Sequence, residues 1–375
     1  MNILHILDKN QFNTGSVHQM FQAASGLRER GHEVWIVSRE GEEMRRRCEE
    51  SGVGFRALPL RNELDVASIR GLRRLVDEIE ADVIHVHKGL PHTLALAATW
   101  QRPVPAFVVN RGVSFPLTIW NRGKYRTRRV DRIVCVCEGI RQVVIRSGRL
   151  DPAKVVVVYA GTDVTLFDPA RWNRDEFRDE KRIPREAFLI AQVGVRDWKG
   201  WRELIDAFAP VHAKHPRTRL ALIAYKDAAQ REDVLEWARR KGVGEAVVPV
   251  EYRADMARVL AAADLVADAS WAGTGITGTI REAMALEKPV VATDCGGNRE
   301  LLSTPEVGWL VEPRSDAALT RALLEVIEDP ARAARVGARA REHVRAGFSR
   351  AIRIDRLEGL YREIVERRPS REEAR

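Results

Sequence analysis

The sequence predicts an α/β protein built from doubly wound parallel sheets. Apolar, strand-like runs such as 2–7 (NILHIL), 32–38 (HEVWIVS) and 83–87 (VIHVH) alternate with amphipathic helical runs in the first part of the chain. After a polar, charged stretch at 174–187, the same alternation starts again with FLIAQVG at 188–194. Strands that alternate with helices at this spacing indicate β-α-β units, whose strands are parallel and whose helices cover the faces of the sheet.

The chain is long enough for two such domains, because 375 residues exceed what one hydrophobic core usually supports. The polar stretch puts the boundary between 160 and 185, and we predict domains at 1–160 and 161–349. A helix predicted at 350–367 would pack back on the first domain through an apolar stripe of Ile354, Leu357, Leu360, Tyr361 and Ile364. Residues 368–375 are predicted to be a disordered tail, since they have no apolar content to order them.

The composition favours an anionic partner, because 62 lysines and arginines face 53 acidic residues. That partner would be nucleic acid, a phosphorylated small molecule or a membrane surface. No nucleic-acid-binding module accompanies the charge, so we predict no nucleic-acid partner. No apolar run approaches the roughly 20 residues of a membrane-spanning helix. The N-terminus also lacks the layout of a signal peptide, so we expect a cytoplasmic protein.

The four cysteines show no spacing typical of a zinc or redox site. They are Cys48, Cys135, Cys137 and Cys295, without a C-x-x-C pair. Cys135 and Cys137 alternate along a predicted strand and would face the same side of it. We therefore predict packed, reduced thiols.

A glycine loop in the second half carries G-x-G-x-x-G at Gly273, Gly275 and Gly278, between a strand and a helix. This pattern is typical of dinucleotide-binding proteins, so a nicotinamide-dependent oxidoreductase is one interpretation. The first strand-to-helix turn of the chain lacks the pattern, and the helix after Gly278 is short. Thr274 and its neighbouring threonines add hydroxyls, which suit phosphate or sugar oxygens as well as a dinucleotide. A plain turn without a ligand is the third interpretation.

Four ordered motifs carry a more specific resemblance. The loop region at 262–301 reads AADLVADASWAGTGITGTIREAMALEKPVVATDCGGNREL, and it is preceded by AQVGVRDWKGWRELIDAFA at 191–209. VYAGTDVTLFDP lies at 158–169 and VEYRADMARVLAAAD at 250–264. Together they resemble the donor-binding region of the retaining GT-B glycosyltransferases of family 4. The resemblance implies the GT-B fold, with two Rossmann-like domains facing a cleft, and a nucleotide-diphosphate sugar as donor.

The resemblance also implies roles for individual residues of the second domain. Arg196 and Lys199 occupy the positions that grip the donor diphosphate and stabilise charge on the leaving oxygen. Glu282 matches the acid that accepts the ribose hydroxyls. The donor would further contact the helix N-terminus and the loop before it, at Gly275, Ile276, Thr277, Gly278 and Thr279.

Tyr252 and Arg253 fall where the nucleobase rests in the family, although a buried core tyrosine is an equal alternative. This chain departs from the family pattern at Thr274, which stands where an acid usually holds the donor sugar. Thr274 can make one hydrogen bond but brings no charge. Besides an active enzyme, the sequence therefore leaves open a catalytically silent nucleotide-sugar-binding protein.

The first domain contributes a second group of candidates. The turn at Thr14, Gly15 and Ser16 matches the loop that approaches the donor phosphate, with a simple helix cap as the alternative. Where many relatives have a histidine beside the reacting sugar, this chain has Arg111, which could contact an acidic acceptor or the donor phosphates. His87 ends a strand at the expected cleft edge and is an alternative contact, whereas we expect His85 to lie in the core.

Residues 111–132 (RGVSFPLTIWNRGKYRTRRVDR) alternate apolar bulk with dense positive charge. One interpretation is a segment that rests on an anionic membrane, which suits a lipid-linked acceptor. The other is a helix whose apolar face packs in the domain while its basic face is solvated.

The resemblance thus implies a glycosyltransferase that retains the configuration of the sugar without a metal, and the sequence contains no D-x-D metal motif. We expect no cofactor. The expected donor is a UDP-, GDP- or ADP-sugar, and the expected acceptor is a glycan or a lipid-linked sugar. Lipopolysaccharide or another envelope polysaccharide is one such product. The expected location is the cytoplasm, or the inner face of the cytoplasmic membrane.

Overall fold

A computed structural model describes residues 1–12, 14–272 and 275–367. The chain divides into two compact units, one of Met1–Gly161 with the C-terminal segment from Arg350 on, the other of Thr162–Ser349. Among the described residues, each unit contains one sheet whose strands are all parallel, with seven strands in the first unit and six in the second. The predicted α/β, doubly wound architecture is confirmed.

The strands of the first unit are Asn2–Leu7 (β1), Glu33–Ser38 (β2), Gly54–Ala57 (β3), Val83–His87 (β4), Ala106–Arg111 (β5), Arg132–Cys135 (β6) and Val155–Val157 (β7). Its first six helices are Gly15–Glu29 (α1), Glu42–Glu50 (α2), Val66–Glu78 (α3), Gly89–Ala98 (α4), Arg122–Arg126 (α5) and Glu138–Gly148 (α6).

The first sheet has the order β3-β2-β1-β4-β5-β6-β7, so the direction of winding reverses between β1 and β4. These two strands are almost entirely buried and lie at the centre of the sheet, as expected where helices cover both faces. Their register pairs Ile3 with Val83 and His5 with His85.

The strands of the second unit are Phe188–Val193 (β8), Thr218–Tyr225 (β9), Val247–Glu251 (β10), Leu265–Asp268 (β11), Val290–Thr293 (β12) and Trp309–Val311 (β13). Its helices are Arg174–Glu180 (α7), Trp201–Lys214 (α8), Ala228–Arg240 (α9), Met256–Ala262 (α10), Gly278–Ala285 (α11), Asn298–Leu301 (α12), Asp316–Glu328 (α13) and Pro330–Gly347 (α14).

The second sheet has the order β10-β9-β8-β11-β12-β13, and its winding reverses between β8 and β11. One core cluster includes Trp201 and Phe208 of α8, Leu220 of β9 and Leu323 of α13, all of them buried. In open α/β sheets, ligands bind outside the carboxyl ends of the strands at such a reversal.

The last helix, Arg350–Glu366 (α15), belongs to the first unit and packs on α1. A Cβ added to Gly26 of α1 would lie 1.9 Å from Cδ1 of Ile354, so glycine allows the close approach of the two helices. The residues of the predicted apolar stripe all lie in the core of this unit: Ile354, Leu357, Leu360, Tyr361 and Ile364.

Several elements are not predicted from the sequence, and three of them bear on the domain boundary or on the sheet edges. The charged stretch after 173, at the predicted domain boundary, forms α7, and its Phe177 and Arg178 are buried. Strands β3 and β13 are also new, and each is a short edge strand of its sheet.

The helix that one of the two interpretations placed over residues 111–132 does not form in most of that segment. Between the end of β5 and Arg122 the chain forms a loop, and α5 accounts for five residues. The loop is held by polar contacts, including a hydrogen bond of 2.9 Å from the Leu117 amide to Ser147 Oγ. Its large side chains Phe115, Ile119 and Trp120 are exposed, whereas Leu117, Tyr125 and Val130 are buried, so the segment packs only part of its apolar residues in the domain.

All four cysteines are buried free thiols. Among the helices of the described residues, none combines the length and the apolar character that a bilayer-spanning helix requires.

We predict that Gly337→Ala destabilises the second unit. A Cβ at Gly337 of α14 would lie 2.1 Å from the carbonyl oxygen of Glu287, at the turn after α11, so α14 must move outward. Such overpacking costs about 1–3 kcal/mol. The control is Gly347→Ala in the same helix, where no atom lies within 4 Å of the added Cβ. Urea unfolding should show a loss for the first variant and none for the control; equal midpoints would contradict the packing.

We also predict a pH-dependent contribution from Glu358 of α15. Hydrogen bonds from Arg30 lower the pKa of this carboxyl to about 2, with Arg362 and His32 as further donors. In the unfolded chain a glutamate has a pKa of about 4.3. The contribution of Glu358 to the free energy of unfolding is therefore complete above that pH and is lost as the pH falls through about 2.

After allowance for solvent screening, Glu358→Gln should lower the free energy of unfolding by on the order of 2 kcal/mol at pH 7. The difference from the wild type should vanish near pH 2. Glu363→Gln, an exposed carboxyl of the same helix, serves as the control. A difference that stays constant from pH 7 to pH 2 would contradict the assignment.

Candidate functional site

The candidate site of the second unit lies at the carboxyl ends of β8 and β11, where the winding of the sheet reverses. The chain leaves β8 through a short 3-10 turn, Asp197–Lys199, and α8 begins two residues later. The chain leaves β11 through the glycine loop, and α11 begins at Gly278. The cationic motif and the glycine loop therefore flank the same reversal point.

Hydrogen bonds join these two segments. The buried side chain of Gln192 accepts from the Ala269 amide at 2.9 Å and donates to the Lys199 carbonyl at 3.1 Å. The Trp271 amide donates to the Trp198 carbonyl at 3.0 Å. The cationic turn and the start of the glycine loop thus form one rigid frame.

Gly200 is required by this frame. Its φ of +67° lies in the left-handed region, and a Cβ there would lie 2.0 Å from the carbonyl oxygen of Ala269. Any larger residue would push the turn after β8 away from the end of β11.

The two predicted phosphate-gripping cations have different surroundings. Arg196 is exposed, its guanidinium lies 5.7 Å from the ring centre of Trp198, and no carboxylate in the described ranges pairs with it. Lys199 is largely buried, and its Nζ lies 3.0 Å from Oδ2 of Asp268. A free guanidinium and a paired ammonium therefore sit on one turn.

Gly273 and Thr274 lie outside the described residues, so the position where the family usually has an acid is not described. The rest of the loop is anchored to the segment after β12. The carbonyl of Gly275 accepts from the Gly297 amide at 3.0 Å, and Ile276 is buried.

The N-terminus of α11 is fixed by a second contact. The Thr277 hydroxyl donates to Asn298 Oδ1 at 3.1 Å, and Asn298 donates to the Thr293 carbonyl at 3.0 Å. Thr277 is the N-cap residue of α11, but its side chain makes no capping hydrogen bond. The first-turn amides, which include those of Gly278 and Thr279, can therefore bind an anion.

Glu282 lies one turn into α11 and reaches back towards the helix start. A Cβ added to Gly278 would lie 3.6 Å from Glu282 Oε1, which places this carboxyl beside the N-terminus of the helix. Burial raises the pKa of Glu282, and the neighbouring Arg281 opposes the shift.

The predicted base-binding pair is only partly available. Tyr252 has 52% of its surface exposed, which excludes the alternative of a core tyrosine. Arg253 is engaged by Asp255 and Glu180, and the Asp255 contact lies at 2.7 Å. A nucleobase at this place would meet the Tyr252 ring and backbone groups rather than a free guanidinium.

In the first unit, the predicted loop lies at the carboxyl end of β1, beside the reversal point of that sheet. Helix α1 begins at Gly15, and its N-cap Thr14 makes no capping hydrogen bond with its side chain. Gly15 is exposed, and a Cβ there would meet no atom within 4 Å. The turn thus caps α1 through the Thr14 carbonyl and not through the Thr14 side chain.

His87 ends β4, as the sequence predicts. It is buried, and its Nε2 lies 3.1 Å from Nδ1 of His5, while Nδ1 of His85 lies 2.5 Å from the Tyr361 hydroxyl. Burial lowers the pKa of all three imidazoles, that of His5 to about 3, and the buried Arg353 guanidinium lowers them further. These histidines are close enough to one another to ligate a metal ion, but the nearby guanidinium would repel a divalent cation. The cluster is a packed part of the core.

Arg111 ends β5 and is half-buried. Its guanidinium donates to the Phe115 carbonyl at 2.7 Å and lies 5.8 Å from the ring centre of Tyr125. Arg111 therefore supports the loop that follows it.

Sequence reasoning missed three residues that build the site: Gln192, Asp268 and Asn298. Gln192 and Asp268 lie at the carboxyl ends of predicted strands, where polar side chains interrupt an apolar run. That interruption was the available signal. Asn298 lies within the GGNRE motif, but its contacts with Thr277 and Thr293 depend on the fold.

Two family models match the chain. The model described as Glycosyltransferase Family 4 matches residues 14–166, and the model described as Glycosyl transferases group 1 matches residues 186–329. The chain belongs to the family 4 glycosyltransferases, as the motifs predicted.

Curated relatives agree with this assignment. The chain is 31% identical over 226 residues to D-inositol 3-phosphate glycosyltransferase 1 of Catenulispora acidiphila, over 57% of this chain and 53% of that protein. It is 22% identical to the UDP-Gal:alpha-D-GlcNAc-diphosphoundecaprenol alpha-1,3-galactosyltransferase of Escherichia coli, over 80% of each protein. The chain spans about half the length of the first of these relatives.

A solved structure shows the same fold. The crystal structure of Anabaena Alr3699/HepE in complex with UDP matches with a TM-score of 0.84 and 20% identity, over 97% of this chain and all of that one. The predicted GT-B class, with two Rossmann-like units, is confirmed.

Proposed function

We propose that the protein is a retaining glycosyltransferase that moves a sugar from a UDP-, GDP- or ADP-sugar to a glycan or lipid-linked acceptor. One observation carries the proposal: the cationic turn and the N-terminus of α11 meet at the reversal point of the second sheet. An unpaired guanidinium and free helix amides at one place suit a diphosphate.

The departing group of such a reaction is a nucleoside diphosphate, on which negative charge builds up as the sugar leaves. Arg196 and the amides of α11 would stabilise that charge, and Lys199 would add a compact cation. Glu282, beside the helix start, would accept the ribose hydroxyls. Tyr252 would pack against the base.

We propose that the reaction retains the configuration of the sugar and uses neither a metal nor a cofactor. Membership of family 4 supports retention, and the absence of a D-x-D motif from the sequence supports a reaction without a metal. In front-face attack, the acceptor oxygen approaches from the side that the phosphate leaves, and the phosphate takes the acceptor's proton. The chain then needs to supply binding, orientation and charge rather than a base of its own.

The relatives support the choice of substrates. By its name, the Escherichia coli galactosyltransferase uses UDP-galactose and a diphosphoundecaprenol-linked acceptor, and the Anabaena structure contains UDP. We therefore favour a UDP-sugar donor and a lipid-linked acceptor, in the assembly of lipopolysaccharide or another envelope polysaccharide.

A surface of the first unit fits a lipid-linked acceptor, and we call it the 113–128 surface. Phe115 and Ile119 are each 66% exposed, and Trp120 is 93% exposed. Large side chains at such exposure suit insertion among lipid headgroups and acyl chains.

The charge around these side chains complements an anionic membrane. Arg126 and Arg128 are exposed and Arg122 is partly exposed, and no carboxylate in the described ranges pairs with any of the three. Each cation near an anionic surface contributes about 1 kcal/mol. We propose that this surface holds the protein at the inner face of the cytoplasmic membrane.

The function is tested by thermal-shift screening against UDP-, GDP- and ADP-sugars, with NADH as a comparison. One sugar-nucleotide class should raise the melting temperature, and the chain should turn that donor over. Arg196→Ala should lower kcat/KM about 100-fold, because it removes a cation from the departing diphosphate. Glu282→Ala should raise the KM for the donor.

The matched control is Arg202→Ala. Arg202 pairs with Asp197 at 2.6 Å and stacks on Trp201, so its charge is already paired within the protein. Binding without turnover would make the protein a silent nucleotide-sugar binder. A shift with NADH alone would restore the oxidoreductase interpretation. Full activity in Arg196→Ala would refute the site.

The membrane surface is tested by sedimentation with phosphatidylglycerol vesicles and with phosphatidylcholine vesicles. The wild type should bind the anionic vesicles, and Ile119→Ser with Trp120→Ser should reduce the partition coefficient about tenfold or more, because buried apolar area is lost. The control is Leu64→Ser with Val66→Ser, which removes two exposed apolar side chains elsewhere in the first unit. Equal losses in both pairs, or binding independent of lipid charge, would contradict the proposal.

A further inference from the structure

The positive charge of Lys199 is paired within the protein. Its ammonium lies 3.0 Å from the Asp268 carboxylate, and the two side chains are 13% and 4% exposed. The Lys199 ammonium also lies 5.5 Å from the ring centre of Trp198. The cation is therefore enclosed between a carboxylate and an aromatic ring.

Asp268 is held in place independently of Lys199. Its Oδ1 accepts from the Ser270 amide at 3.1 Å, and its carbonyl accepts from the Thr293 hydroxyl at 3.3 Å. Asp268 also ends β11, in the middle of the sheet. The Ser270 amide thus holds the Asp268 carboxylate beside Lys199.

The backbone of Lys199 is fixed to the same place, because Gln192 binds the Lys199 carbonyl and the Ala269 amide. An ammonium has three donors, and Asp268 occupies one of them, so Lys199 can still donate to a phosphate oxygen. A bound diphosphate would then lie close to the negative charge of Asp268 as well.

We propose that Asp268 limits the affinity of the second unit for nucleoside diphosphates by offsetting the charge of Lys199. The inference rests on the proposed function, since it assigns the diphosphate to this site. Without the neighbouring Asp268 carboxylate, Lys199 would hold the departing nucleoside diphosphate more tightly and slow its release. The paired lysine can still donate hydrogen bonds to a phosphate oxygen. Its long-range attraction for the diphosphate is weaker, because the carboxylate offsets the positive charge. Asp268 is thus a positioning residue that tunes product affinity.

The test is calorimetric titration of UDP, GDP and ADP into the full chain, at low and high salt, for the wild type and Asp268→Asn. Asparagine removes the negative charge and keeps one acceptor oxygen, which can serve the Ser270 amide or Lys199, whereas Asp268 serves the first with Oδ1 and the second with Oδ2. The variant should bind the preferred nucleotide about five- to twentyfold more tightly at low salt. Its affinity should also fall more steeply with salt, because a net positive charge faces the diphosphate.

The matched control is Asp206→Asn. Asp206 pairs with Lys241 at 3.1 Å in the same unit, between α8 and α9, so the control removes an equal charge from an aspartate–lysine pair elsewhere. It should leave the nucleotide affinity unchanged. An equal gain in the control would reduce the effect to net charge and overturn the assignment.

A merely structural role predicts a different result, namely a lower melting temperature with unchanged or weaker nucleotide binding. That result in a folded Asp268→Asn variant overturns the inference and leaves the proposed function standing. If the variant does not fold by circular dichroism, Asp268→Ser removes the same charge with a smaller side chain and is judged by the same criterion. If the wild type binds none of the three nucleotides, the proposed function and this inference fall together.

Discussion

The second unit depends on how closely the chain leaving β8 approaches the chain leaving β11. Gln192 joins these segments through both ends of its amide, and Gly200 allows the contact because a Cβ would collide with the Ala269 carbonyl. The cationic turn and the glycine loop could otherwise move independently on two flexible connections. Since a diphosphate must be met by cations and amides at fixed distances, this frame is the precondition for the site.

The amino ends of the same two strands are fixed by a buried charge. Arg178 of α7 is fully buried, lies 2.7 Å from Asp264, and donates to the carbonyls of Ala187 and Ala262. Asp264 also accepts from the Leu189 amide at the start of β8. The strand pair β8–β11 is thus held at one end by Arg178 and at the other by Gln192. Between these ends, the apolar strands need to supply only packing.

The cations of the candidate site and the cations that support the fold differ in whether a carboxylate pairs with them. Arg178 and Arg253 are neutralised by carboxylates, and Lys199 is partly offset by Asp268, whereas Arg196 faces solvent without a carboxylate in the described ranges. The same contrast appears in the first unit, where Arg126 and Arg128 stay unpaired in the described ranges beside exposed apolar side chains. Arg196 and the arginines of the 113–128 surface therefore keep their charge available to an anion, whereas a buried cation needs a partner within the protein.

The sequence by itself determined the α/β class, both central strand sets and the family, since long apolar runs and glycine spacing are local patterns. It could not predict β3 and β13, because short edge strands bury few side chains and leave a weak pattern. Nor could it predict the burial of His87, the exposure of Trp120 or the pairing of Lys199 with Asp268. Those were decided by the tertiary structure, because the partners lie on segments far apart in the chain. Whether a charge is free or paired is settled only when parallel strands bring such segments side by side.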